Sequence, residues 1–195
     1  MNGKTALLAI LVGLALAAAT IQISVWVSGT PLPIMSKLPD FHLIDQDGAP
    51  FSLKDLTETA TLVDFVFTRC MGPCPMMALE MGKLQTKFAD SPNIRFLSIS
   101  VDPTNDSPKT LTEYGASIGA IPGKWNFATG DGDSIVALSE KGFKLPASTW
   151  PAEHSTRFVL VDKKGQIRGY YESTDPEWMK TLVKDIGRLL RSKEG

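Results

Sequence analysis

Cysteine and histidine are the scarcest chemistry-bearing residues of this 195-residue chain, with two of each. Two cysteines cannot build a disulfide framework, and they exclude zinc centres made of three or four thiolates. A centre of two cysteines and two histidines would consume every one the chain has. Excess charge is lacking too: 20 Lys and Arg stand against 21 Asp and Glu, a net charge of −1. A near-neutral chain has no electrostatic footprint for nucleic acid. Charge is also missing locally, because residues 1–36 hold one charged side chain, Lys4. Internal repeats and low-complexity blocks are absent.

The uncharged stretch Thr5–Val27 is the first feature present. At 1.5 Å per residue its roughly 23 residues suffice to cross a hydrocarbon core of about 30 Å. Ala15-Leu16-Ala17 and Ala17-Ala18-Ala19 could serve as signal-peptidase sites. The apolar run continues past them through Ile21, Ile23, Val25, Trp26 and Val27, with Trp26 where an interfacial aromatic belongs. A retained transmembrane helix is therefore expected over residues 1–29, with a cleaved signal peptide as the alternative. Lys4 supplies the positive flank, and no Lys or Arg follows until Lys37. The terminus then stays in the cytoplasm, and the domain faces the periplasm of a bacterial inner membrane. Pro31, Pro33 and Pro39 stiffen a linker over residues 30–38. Residues 39–195 remain for one domain.

Within that domain, Phe41–Ile44 and Ala49–Leu53 flank a Gly48 turn and predict a hairpin. Thr61–Thr68 is mostly apolar and rich in β-branched and aromatic residues, which predicts a central strand. A helix should open at Pro73 or Pro75 and run to about Phe88, since proline is tolerated in a first turn. A strand over Ile94–Val101, a helix over Ser107–Ile118, a short strand over Lys124–Thr129 and a short helix over Asp133–Lys141 follow. Arg157–Asp162 and Gln166–Tyr171 predict strands around a Lys163-Lys164-Gly165 turn. Asp175 should cap a last helix with Pro176 and Glu177 in its first turn, burying Trp178, Leu182, Ile186 and Leu189–Leu190 on one face. The pattern is α/β with mixed strand directions.

Both cysteines sit in Thr68-Arg69-Cys70-Met71-Gly72-Pro73-Cys74-Pro75, between a buried-type strand and a helix. N–H groups at a helix N-terminus stabilise anions, so a thiolate is expected to form there more readily than on an ordinary cysteine. A redox dithiol of the thioredoxin type has two intervening residues, whereas three stand here, and two thiolates alone leave a soft metal under-coordinated. His154 is the candidate third ligand. It precedes the strand Arg157–Asp162, and in a thioredoxin-like sheet the loop before that strand faces the cysteine turn. Such oxidoreductases place a cis-proline there, and Thr156 or a neighbour stands in its place. Thiolates plus imidazole suit copper. His42 falls in an alternating strand and should point to solvent. Met71, Met76, Met77 and Met81 surround the motif with thioether sulfur, although methionine in a helix is more often core filler. Asp102 is expected to cap the turn at Pro103, and Glu153 could orient His154.

Cys70-x-x-x-Cys74-Pro75, the run Ser98-Ile99-Ser100-Val101-Asp102-Pro103 with Asp106-Ser107-Pro108, and His154–Asp162 with Gly165 together resemble the Sco/SenC family of copper-binding proteins. The likeness runs from about Pro39 to Leu190. It implies a thioredoxin-like mixed sheet flanked by helices and tethered to the membrane, with one copper held by Cys70, Cys74 and His154. It also implies delivery of copper to the dinuclear copper centre of cytochrome c oxidase, or upkeep of that centre's cysteines. The copper-bearing oxidase subunit, other copper chaperones and thioredoxin-like reductants are the implied partners. The departures are Arg69 before the first cysteine and Met71-Gly72-Pro73 as spacer. A periplasmic thiol–disulfide oxidoreductase, with Cys70 attacking and Cys74 resolving through a Cys70–Cys74 disulfide, is the alternative. Copper or redox sensing toward a membrane partner is a third reading.

Overall fold

A computed structural model describes residues 10–15, 31–147 and 155–192. The chain divides into two units, Met1–Pro31 and Leu32–Gly195. In the first, residues 10–15 are helical, and Ile10, Leu11, Val12 and Leu14 are exposed. Among the described residues no helix is long and apolar enough to cross a membrane; the rest of Thr5–Val27 lies outside them.

The second unit is built on one sheet of eight strands: β1 (Ser36–Lys37), β2 (His42–Asp45), β3 (Pro50–Ser52), β4 (Ala60–Val66), β5 (Ile94–Ser100), β6 (Trp125–Thr129), β7 (Arg157–Val161) and β8 (Gln166–Glu172). Their spatial order is β1-β8-β7-β4-β5-β6-β2-β3. Strands β4, β5 and β6 are parallel, while β7 and β2 join that block antiparallel on either side. Every residue of β4 is buried, as a strand covered on both faces requires. The helices are α1 (Leu53–Leu56), α2 (Cys74–Lys87), α3 (Pro108–Ser117), α4 (Gly132–Ala137) and α5 (Trp178–Arg191). Ser107 caps α3 by accepting the Thr110 N–H, with Pro108 in its first turn.

Strand alternation sorts the core into two layers. Leu62, Phe96, Phe127 and Phe158 pack with Met77, Met81 and Leu84 of α2, Leu111 of α3 and Trp178, Leu182 and Ile186 of α5. Val63, Phe65, Leu97, Ile99 and Val159 pack on the other side with Ile135, Leu138 and Phe143. Asp64 shares the side of Leu62, facing α2 and α3.

Gly115 marks the tightest contact of α3 with the sheet. A Cβ there would lie 2.8 Å from Cε2 of Phe127. That ring is gripped edge-on by Tyr114 and stacked on Trp125, at centroid distances of 5.9 and 5.4 Å, so it has little room to yield. Overpacking costs about 1–3 kcal/mol and alanine recovers about 1 kcal/mol of helix propensity. Gly115→Ala is expected to lose up to about 2 kcal/mol net, read as a lower urea midpoint. An unchanged midpoint would mean that the ring gives way.

Three expectations are corrected. The last helix starts at Trp178 with Glu177 as its cap residue. Asp175 instead caps the turn before it, its carboxylate accepting the Glu177 N–H and its carbonyl the Trp178 N–H. The helix expected over Asp133–Lys141 is α4 followed by a π-helical segment, Leu138–Phe143, which Lys144 ends in a left-handed conformation. In the stretch expected as linker, Leu32 and Leu38 are buried and Ser36–Lys37 pairs with β8.

Candidate metal centre

Strand β4 delivers the chain to the cysteine turn. Its last ladder bond runs from the Val101 N–H to the Val66 carbonyl at 2.8 Å. Beyond it, Phe67 accepts the Cys70 N–H at 3.2 Å, and the Gly72 N–H points at Cys70 Sγ, 3.4 Å away. Pro73 then precedes Cys74, the first residue of α2, with Pro75 behind it. Proline lacks the N–H that a first turn leaves unbonded, so the local sequence starts the helix where the second thiol is needed.

No disulfide joins the two cysteines in this structure, and their side chains share a hydrogen bond. Cys70 is half-buried, whereas Cys74 is 1 % exposed. Burial pushes the Cys74 thiol well above its ordinary value; a backbone hydrogen bond with Phe67 opposes this, and Cys70 and Asp64 add to it. The expectation of an easily formed thiolate at the helix start is therefore reversed for Cys74, because desolvation outweighs the helix dipole. A cavity of about 640 Å³ opens beside the pair, lined by Phe67, Cys70, Cys74, Leu79, Tyr114 and Ile118 among others.

Polar groups surround the turn. Asp106, fully buried, accepts the Thr68 N–H at 3.1 Å, the Thr68 hydroxyl at 2.6 Å and the Ser100 hydroxyl at 2.6 Å. Asp102 accepts from Arg69 at 3.0 Å and from the Asn105 side chain, while its carbonyl accepts the N–H groups of Asn105 and Asp106. It does cap the turn at Pro103, and it holds the residue before Cys70 as well. Asp64 is also fully buried. The Ser98 hydroxyl donates to its Oδ1 at 2.6 Å and the Trp125 indole donates to Ser98 in turn, yet Oδ2 has no hydrogen-bond partner among the described residues. Burial raises its carboxyl to about 7, against the pull of Ser98 and of its own backbone. Burial likewise raises the Tyr114 hydroxyl, with Asp64 and both cysteines adding to the effect.

His154 and Glu153 lie outside the described residues. What is described is the chain just after them: Ser155 accepts the Arg157 N–H at 3.2 Å, and β7 begins at Arg157. Because β7 runs antiparallel beside β4, its entry lies at the sheet end where β4 leaves for the cysteine turn. His42 is exposed on β2, as expected. The methionines divide: Met77 and Met81 are core filler, whereas Met71 and Met76 are 99 % and 60 % exposed beside the thiols. Among the described residues no group of three or more His, Cys, Asp and Glu side chains forms a metal cage. Sequence reasoning missed Asp64, Thr68 and Asp106 at the site. The signal available was a lone carboxylate inside the apolar run Thr61–Thr68.

The family model described as SCO1/SenC matches residues 34–191. A SCO1 protein homolog of Bacillus subtilis is 32 % identical over 160 residues, covering 79 % of this chain and 83 % of that protein. The structure of BsSco, a member of the Sco family of cytochrome c oxidase assembly proteins in which a disulfide switch was identified, superposes with a TM-score of 0.72 at 30 % identity, covering 81 % of this chain and 95 % of its own. Arabidopsis thaliana ScoI, solved with copper bound, gives 0.68 at 22 % identity, covering 78 % and 98 %, a likeness of fold alone.

Proposed function

The chain belongs to the SCO1/SenC family, and on that premise we propose that it is a membrane-tethered copper chaperone for cytochrome c oxidase. The fold is the thioredoxin-like mixed α/β fold of Sco structures, and the family serves copper assembly of that oxidase. In this reading Cys70, Cys74 and His154 hold one copper, and the domain hands it to the dinuclear copper centre of the oxidase subunit. The observation that carries it is the hydrogen-bonded thiol pair at the end of β4, with residue 154 just ahead of the strand beside it. Two thiols and an imidazole are a soft donor set suited to copper.

Bound copper would supply a transferable, redox-active charge; the chain's own work is to present its donors. Cys70, the more accessible sulfur, meets an incoming chaperone or the oxidase subunit first. Cys74, buried, gives up its proton less readily and closes the site behind it. Residues 1–29, uncharged but for Lys4, are the proposed inner-membrane anchor, and the unit that begins at Leu32 is the proposed periplasmic domain.

The same thiols support a second reading, favoured by their side-by-side placement with Cys70 the more accessible of the two. As a thiol–disulfide oxidoreductase, Cys70 as thiolate would attack a partner disulfide, releasing one partner thiol. Cys74 would then attack the Cys70 sulfur of the mixed disulfide and release the second. Two electrons and two protons pass from the dithiol to the partner, leaving a Cys70–Cys74 disulfide for a thioredoxin-like reductant to reopen.

Copper titration of the full chain in detergent separates the two. The wild type is expected to take up one copper; Cys70→Ser and Cys74→Ser to lose it; His154→Ala to weaken Cu(II) binding at least tenfold while sparing dithiol redox chemistry. Failure of the reduced wild type to bind stoichiometric copper would overturn the chaperone reading. Disulfide reduction unchanged in His154→Ala but abolished in Cys70→Ser would favour the reductase.

A further inference from the structure

We propose that Asp106 is the positioning residue of the dithiol turn, holding Cys70 against Cys74 through two hydrogen bonds to Thr68. The proposal deepens the reading of Cys70 and Cys74 as the working pair. Residues 67–72 lie between β4 and α2, with the local bond from the Cys70 N–H to the Phe67 carbonyl. The Asp106 bonds to Thr68 tie this turn to the next strand and helix. Thr68 sits two residues before Cys70, and Asp106 takes both its N–H and its hydroxyl. One carboxylate thus constrains the backbone and the side chain of a single residue.

Asp106 is itself held rigidly. Its N–H donates to the Asp102 carbonyl at 2.9 Å, Ser100 at the end of β5 donates to it, and the next residue, Ser107, caps α3. The clamp therefore ties the cysteine turn to the end of β5 and the start of α3 at once. Its carboxylate is wholly buried while Thr68 is half-buried, so its charge-assisted bonds are less screened than exposed ones. The neighbouring Arg69–Asp102 pair makes the contrast: the Arg69 side chain is 63 % exposed, and such surface pairs contribute little. Of the two aspartates in the Ser98–Pro108 segment, Asp106 is the one placed to govern the thiols.

The experiment is the thiol–disulfide equilibrium of the metal-free full chain against glutathione, so it stands whether or not copper is the cargo. Three variants are compared with the wild type: Thr68→Val, which removes the hydroxyl but keeps the N–H; Asp106→Asn, which keeps the size; and the double variant. Asp106→Asn is expected to shift the equilibrium constant about tenfold, Thr68→Val about threefold, and the double no further than Asp106→Asn, since all act through one clamp. Gly165→Ala, in the β7–β8 turn at the sheet end away from the thiols, where φ is +71° and a Cβ would lie 2.8 Å from Leu53 Cδ1, supplies a chain weakened in stability without touching the clamp. Its constant should stay within twofold of wild type. The proposal is overturned if Asp106→Asn also stays within twofold, or if Gly165→Ala moves the constant as far. Should Asp106→Asn not fold, a Thr68→Val constant within a factor of 1.5 of wild type overturns it alone.

Discussion

Arg168→Met is expected to cost about 3–5 kcal/mol of unfolding free energy, the range for removing one partner of a buried ion pair. Arg168 and Asp162 are both almost wholly inaccessible, with Nη1 to Oδ2 at 2.8 Å. Asp162 also accepts the N–H groups of Lys164 and Gln166, each at 2.9 Å, so it closes the β7–β8 turn while Arg168 compensates its charge. The second Arg168 nitrogen reaches the carbonyl of Leu32, tying the start of the domain to β8. Methionine matches the length of the stem but leaves Asp162 charged in a dry site, which is why the loss exceeds that of an ordinary hydrogen bond. Replacing both residues, as Asp162→Asn with Arg168→Met, removes the stranded charge and should recover a large part of the loss. Urea unfolding at neutral pH checks both; a single-variant loss below about 1 kcal/mol would show that Asp162 is compensated elsewhere.

Stability is also expected to fall as pH rises from about 4 to about 7, and Asp64 is the cause. In the unfolded chain its carboxyl ionises at its ordinary value of 3.8, whereas in the fold burial holds it protonated to about 7. Between those values the native state binds the extra proton, so each unit of pH removes about 1.4 kcal/mol, up to about 4 kcal/mol in all. The contribution is complete below pH 4 and gone above pH 7. Asp64→Asn keeps an acceptor for the Ser98 hydroxyl but cannot ionise. Measured against wild type at pH 4 and again at pH 8, the variant should gain relative stability by up to that amount. A constant difference between the two would mean that Asp64 is charged throughout, with a counter-charge satisfying it.

Both residues show why some of the molecule was legible in the sequence and some was not. Strands β4, β5 and β7 announce themselves by mostly apolar runs rich in β-branched and aromatic residues, and α2 by Pro73 and Pro75 beside Cys74, because burial and proline chemistry act on residues near one another. The pairing of Ser36–Lys37 with β8 has no such signature: two residues carry no periodicity. The π-helical segment Leu138–Phe143 reads as ordinary helix in composition. The polar framework around the thiols is hidden for a different reason. Ser98 meets Asp64, and Asp106 meets Thr68, across gaps of 34 and 38 residues, which no local pattern encodes. The two cysteines could be named from their spacing, but not that Cys74 would be buried enough to reverse the helix-start effect. His154 rests on its place in the chain ahead of β7.

The pairing of β4 with β7, which sets Val63 opposite Val159, carries a consequence for timing. Cys70 and Cys74 leave the ribosome, and cross any membrane, well before the strand that follows residue 154. Closing so long a loop costs entropy that is recovered only when the intervening β5 and β6 are in place. A partly emerged chain therefore offers bare thiols to any oxidant or stray metal, while the proposed three-donor set exists only after the last third of the chain has arrived and docked. Possession of the complete set is thus a certificate of finished folding.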